Sequence, residues 1–469
     1  MSKTGAPFHI LAYLDNPLGR DTEIMIPVAY CLEKYCHCKV QFLFIWDIYA
    51  IKRHQPDAVL LPNIKGHNLY FEICKYAYQN DVTVLAMESE GNFRTDGSFP
   101  YWGYNTDQFF YQEWAVAWSK RTMEYLKNLK KEQQDKVVLT GGTGFDRYRI
   151  CDFESRESLL QRYGLSQYKK VIGYAGWAFG KMYSKHKESA LDYIHPDWDK
   201  RFEWTERNRK HVRETLRQLI TNNPDTLFVF KRHPRESFED DLFEGPNEMN
   251  ELTGYDNVLY IRKEENIHDL IAISDIWLGF ETTTSIEAWL LGLETLLINQ
   301  EVGFVRNNLY KGSLIVSEYE QLQAYVDEYY SAGKIQDFYS PDLAAHRKEI
   351  IANAAGFGDG FNHVRTCYYF RQSLKKRDPS KSVALNLRHL RLYLLMHIGK
   401  YFYIESLFKK LPGFKKSIYV FKNMYLTGFK ERQRQYHHYL DQFYQKSSLS
   451  EKLASQSWDE VKESIDKES

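Results

Sequence analysis

Short apolar runs recur along this chain, each stopping abruptly at polar residues and each followed by a stretch with helical periodicity. In the first 150 residues they are His9–Tyr13, Val40–Ile45, Ala58–Leu61, Val82–Met87 and Val137–Thr140, with helical patterns at Thr22–Tyr35 and Leu69–Gln79. Strands that are apolar on both faces and spaced by helices belong to a parallel sheet covered on both sides. The rhythm restarts at Lys170–Ala175. A long charged helix over Trp204–Thr221 follows, with strands at Leu227–Phe230, Val258–Ile261, Ile276–Gly279 and Thr295–Asn299, and helices at Ile267–Ser274 and Ser285–Leu291. The pattern predicts an α/β chain of two Rossmann-like halves in series: residues 1–160, then 161–370.

The character changes after residue 370. Residues 371–434 hold sixteen Lys or Arg against three Asp or Glu, interleaved with Leu, Ile, Phe and Tyr at helical spacing. Such a basic amphipathic region reads as a membrane-surface element or as a helical cap packed on the preceding domain. Residues 435–469 read as a helix and a tail. Over all 469 residues the formal net charge is zero, so no global field recruits nucleic acid. Mean hydropathy is −0.55 and no apolar run is long enough to span a membrane. The N-terminal run reads as a first strand instead of a leader, and the six cysteines read as reduced thiols. These features place the protein in the cytoplasm, at the inner face of the membrane. Cys36-His37-Cys38 lacks a second ligand pair at zinc spacing, and Asp197-Trp-Asp199 is a three-residue pattern in a charged loop, so no metal is assigned.

Ligands of open α/β sheets bind at the carboxyl ends of strands. Two strand ends in the second half suit a phosphate. One delivers the cations Lys231, Arg232, His233 and Arg235, with Pro234 restricting the backbone. The other opens a helix with Thr282, Thr283, Thr284 and Ser285, whose hydroxyl and N–H groups form an anion site. Glu287 suits either a ribose hydroxyl or a capping box. In the first half, Glu88-Ser-Glu90-Gly91 closes a strand and suits proton abstraction from an incoming hydroxyl. The loop Thr140-Gly141-Gly142-Thr-Gly-Phe-Asp146 allows close backbone approach, but has neither the Lys of a P-loop nor dinucleotide-fingerprint spacing.

The order Lys-x-His-Pro-x-Glu, then Thr-Thr-Thr-Ser-x-Glu-Ala, resembles GT-B glycosyltransferases of bacterial surface carbohydrate biosynthesis, related to Kdo- and sialic-acid-type transferases. The likeness spans residues 8–370 and takes in Arg20-Asp21, the 140–146 loop, and Asp359-Gly360 with Arg365. It implies two Rossmann-like domains facing a cleft, plus the basic helical C-terminal region. It also implies a metal-independent transfer of a Kdo or nonulosonic-acid type sugar from a CMP-linked donor to a glycan or glycolipid hydroxyl, with no further cofactor. By that likeness His233 and Pro234 hold the donor phosphate, with Thr283, Thr284, Ser285, Lys231 and Arg235 around it. The general base is Glu90 or Glu88, since Ser89 stands where the family has an acid. Arg20, Gly91, Gly141 and Gly142 line the acceptor side. Rival readings are a polyol-phosphate transferase of the teichoic-acid type, a nucleotide-sugar 2-epimerase, and a non-catalytic scaffold of polysaccharide assembly.

Overall fold

A computed structural model describes residues 5–64, 69–89, 107, 109–176, 198–232, 249–262, 265–280, 282–299, 311–402 and 423–468. The chain divides into two compact units, Met1–Cys151 with Ala352–Ser469, and Asp152–Ile351. Both carry the expected parallel sheets.

In the first unit β1 (Phe8–Leu14), β2 (Cys38–Phe44), β3 (Ala58–Leu61) and β4 (Thr83–Ala86) form a parallel sheet in the order β2-β1-β3-β4. Along β1, Ile10, Ala12 and Leu14 enter one core with the helix Arg20–Tyr35. Leu11 and Tyr13 enter the other with the helix Leu69–Gln79. Both faces are therefore covered, which is why β1, β3 and β4 carry no polar alternation, whereas the edge strand β2 has Lys39 and Gln41 between its apolar residues. A short parallel pair, β5 (Ala115–Ala117) and β6 (Val137–Leu139), completes the strands described there.

The chain leaves the first unit after residue 151 and returns at residue 352, earlier than the expected boundaries of 160 and 370. The reason is packing. The helix Asn362–Ser373 puts Cys367 and Phe370 into the core of the first helix, and the helix Phe429–Lys446 adds Phe429 and Tyr436. On the opposite face Val383, Met424 and, from the helix Leu387–Phe402, Met396 join the second core. The described part of the C-terminal region thus packs on the sheet of the first unit.

Polar ties fasten this return. Asp146 accepts from the N–H groups of Asn362 at 3.0 Å and His363 at 2.7 Å. The His363 ring bridges Asp146 Oδ2 and the Tyr444 hydroxyl, each at 2.9 Å, all fully buried. Asp57 accepts from the N–H groups of His9 at 2.8 Å and Arg377 at 3.0 Å, and from Lys376 Nζ at 2.9 Å. Burial alone pushes the Asp57 carboxyl up, but these donors together outweigh it and hold it below the usual carboxylate range. Asp57→Asn is expected to cost about 1–3 kcal/mol at neutral pH. A folded value below the unfolded one means the stabilisation exists above the ordinary value, near pH 4, and disappears as pH falls through the folded one. Urea denaturation at a series of pH values should show the two proteins converging in acid; a gap independent of pH would refute the assignment.

Among the described residues the second unit holds six parallel strands in the order β12-β11-β10-β7-β8-β9. They are β7 (Lys170–Gly176), β8 (Thr226–Lys231), β9 (Val258–Ile261), β10 (Ile276–Phe280), β11 (Glu294–Ile298) and β12 (Leu314–Val316). The chain winds from β7 outward to β9, returns beside β7 as β10, and winds outward on the other side. The charged helix covers Trp198–Asn222, starting a turn and a half before the expected Trp204. No helix among the described residues is long and apolar enough to cross a membrane.

Candidate functional site

The reversal of winding direction puts a switch point between β7 and β10, where neighbouring strands feed connections to opposite faces. Register places Phe280 of β10 opposite Gly176 of β7, and Ala175 of β7 opposite Lys231 of β8. The ends of β8 and β10 therefore flank β7 on one edge of the sheet. The described parts of the two stretches singled out in the sequence, fifty residues apart, thus follow the strands on either side of β7. His233, Pro234 and Arg235 lie outside the described residues.

Lys231 is anchored: its ammonium donates to the carbonyl oxygens of Glu265 at 2.7 Å and Arg262 at 3.2 Å, fastening the segment after β9. Arg232 is buried. Across β7, the four hydroxyls divide by role. Trp277 Nε1 donates to Thr284 Oγ1 at 2.8 Å, and the Thr282 and Thr284 hydroxyls lie 3.1 Å apart. Trp277 can lie across the sheet because β7 has Gly173 there; a Cβ would come within 2.2 Å of the indole. Ser285 is fully buried and its Oγ has no hydrogen-bond partner among the described residues. Thr283 is partly exposed and makes no side-chain cap bond. The helix Thr284–Leu290 has only seven residues, so single N–H and hydroxyl groups, and not a long dipole, would bind an anion here. Glu287 sits in its first turn.

A second polar edge lies in the first unit. Glu88 and Ser89 follow β4, both buried. Asn63 Nδ2 donates to Ser89 Oγ at 2.9 Å, and the Trp118 indole N–H donates to the Glu88 carbonyl oxygen. Glu90 and Gly91 lie outside the described residues. Asp15 directly follows β1, and its N–H donates to the Tyr70 hydroxyl at 2.9 Å. Burial pushes the Asp15 carboxyl up, against the opposing bonds from Tyr70 and the Asn16 N–H. Because β1 pairs with β3 and β3 with β4, Asp15, Asn63 and Glu88 follow three adjacent strands on one edge. Sequence reading passed over Asp15 and Asn63, although the strand-end rule applied to β4 reaches both.

Other motif residues turn inward. Gly141 has φ +78°, and a Cβ there would stand 1.9 Å from Asn362 Oδ1. The Gly142 N–H donates to the Ala355 carbonyl oxygen at 2.7 Å. Gly141 and Gly142 thus serve the close packing of the returning chain, where an acceptor loop was expected. Arg365 is enclosed between Asp359 and Asp466. Arg20 opens the first helix, after a turn in which Asn16 Oδ1 accepts the Leu18 N–H at 3.0 Å. Cys36 and Cys38 are core residues whose thiols burial pushes up, Cys38 to about 12. Among the described residues no three His, Cys, Asp or Glu side chains are grouped to hold a metal ion.

No family model and no curated protein matches the sequence. Solved structures do match. A Listeria monocytogenes protein assigned as a UDP-N-acetylglucosamine 2-epimerase superposes with a TM-score of 0.51 at 14% identity, covering 81% of this chain and 100% of its own. S. aureus MnaA in a co-structure with UDP gives 0.50 at 15% identity, over 79% and 99%. A further UDP-N-acetylglucosamine 2-epimerase gives 0.51 at 15%, over 80% and 99%. The fold is of the GT-B type. At such identities the likeness speaks for the fold alone, and the chemistry rests on this chain's own residues.

Proposed function

We propose that this protein is a glycosyltransferase that moves a sugar, of Kdo or nonulosonic-acid type, from a CMP-linked donor to a hydroxyl of a surface glycan or glycolipid. One observation carries the reading: the switch point of the second sheet, with the β8 cations on one side of β7 and the Thr282–Ser285 hydroxyls on the other. In this reading the second unit holds the donor phosphate through Thr283, the N–H groups beside it and the cationic residues that follow β8 in sequence. One of the carboxylates following β4, Glu90 or Glu88, removes the acceptor proton, and His233 stabilises charge on the leaving phosphate. A second reading, a nucleotide-sugar 2-epimerase, is favoured by the fold likeness to epimerases and to a protein bound to UDP. Asp15 adds to it the further carboxyl that an epimerase requires.

Thermal shift with CMP, CDP and UDP tests the nucleotide site. Thr283→Ala is expected to weaken nucleotide binding roughly tenfold through loss of a charge-assisted hydrogen bond. Ser285→Ala is expected to keep binding and to hold or raise stability, because it removes an unsatisfied buried hydroxyl. No shift with any nucleotide would sink both enzymatic readings. Stabilisation by UDP alone would move the donor from CMP to UDP. Conversion of a UDP-sugar at C2 without an acceptor, followed by NMR, would decide for the epimerase.

A further inference from the structure

The helix Leu387–Phe402 is apolar on two opposite sides. His389 and Met396 are buried, and Met396, with Leu392 and Tyr393 beside it, packs on the core formed with the helix Leu69–Gln79. On the opposite side Leu387 is 72% exposed, Leu394 49%, Leu395 42% and Ile398 46%. At 100° per residue these four fall on one outward face, with Arg391 in its middle and Arg388 at its border. A solvent-facing helical side is ordinarily polar, so a leucine face of this kind marks a contact surface.

Charge selects the occupant. The helix contains no Asp or Glu, and Arg388 and Arg391 are exposed. Its acidic neighbour Glu72 is engaged with Arg388 at 3.1 Å and His389 at 2.9 Å, at the border of the face. Two copies meeting through this face would press Arg391 against Arg391 in a desolvated contact, which is unfavourable. At a bilayer the same arginines extend to lipid phosphates while the leucines enter the acyl boundary. We infer that this outward face is a membrane-docking surface for anionic phospholipid, with the helix lying in the plane of the interface and its inner side held by the first unit. The inference stands independently of the catalytic reading.

Co-sedimentation of the full chain with vesicles tests it, comparing phosphatidylcholine alone with phosphatidylcholine containing about 30% phosphatidylglycerol. Binding is expected only to the anionic vesicles, falling as salt is raised. The double variant Leu394→Asp, Ile398→Asp is expected to lose roughly a hundredfold in partitioning, from two apolar side chains no longer buried. Arg391→Glu is expected to lose roughly fivefold or more. Both substitutions are at exposed positions, and circular dichroism and melting temperature should stay at wild-type values. Failure of the wild type to bind anionic vesicles would overturn the inference. So would full binding by the folded double variant, or a wild-type dimer that the double variant abolishes without any vesicle binding.

Discussion

Glu90→Gln is expected to lower turnover roughly 100- to 10,000-fold while the nucleotide-induced thermal shift survives. The choice of Glu90 over Glu88 comes from how the strand end is fastened. Glu88 is buried, the Trp118 indole holds its carbonyl oxygen, and Asn63 holds the next side chain, Ser89. A carboxylate that takes a proton from an acceptor must be reachable by it, and an enclosed one suits positioning of the turn. Glu88→Gln should therefore act mainly through stability, with a smaller loss of turnover that recovers at lower temperature. The epimerase reading expects a different partner: Asp15→Asn would then abolish interconversion as fully as Glu90→Gln. Steady-state kinetics on the three variants, with nucleotide affinity measured in parallel, separates the readings. If neither glutamate variant slows turnover, this strand end is not the source of the base.

The parallel sheets were legible because strands buried on both faces leave unbroken apolar runs, and ten of the strands fall where such runs predict them. β5 and β12 have three residues each and are not read as strands from the sequence, whereas the equally short β6 lies within the apolar run Val137–Thr140. The return of residues 352–469 to the first sheet was not legible. Periodicity shows that Asn362–Ser373 has an apolar side but not which sheet that side covers, a choice made by contacts with residues more than 300 positions away, such as the Cys367 thiol on the Val28 carbonyl oxygen. The site divides in the same way. Strand ends are read from local pattern, so Lys231 and Thr282–Ser285 were found together. The assignment of Thr284 to Trp277 and the enclosure of Ser285 depend on side-chain packing across the sheet. Gly141 and Arg365 carry motif character for a structural reason: each fills a position where the returning chain closes on the first unit.

Arg365 gives that distinction its largest measurable effect. Its guanidinium is almost fully buried and donates to Asp359 through two bonds, at 2.7 and 3.0 Å. It also reaches Asp466 Oδ1 at 2.8 Å and the Ile465 carbonyl oxygen at 2.9 Å, and lies 3.8 Å over the Phe357 ring. One side chain thereby ties the entry of the helix Asn362–Ser373 to the terminal helix Trp458–Glu468. Removing the cation leaves Asp359 with the Phe361 N–H and Asp466 with Lys462 as donors, and both carboxylates are partly exposed. The loss therefore falls at the low end for breaking such a pair from one side, about 3 kcal/mol. Arg365→Met is expected to lose that much. Arg365→Lys should recover only part of it, because an ammonium cannot make the planar two-point bond to Asp359 while also reaching the terminal helix. Hydrogen exchange should show protection lost first over residues 458–468, with nucleotide-induced shifts kept below the melting temperature. A direct role for Arg365 in substrate binding predicts the reverse: affinity lost in both variants while the terminal helix stays protected.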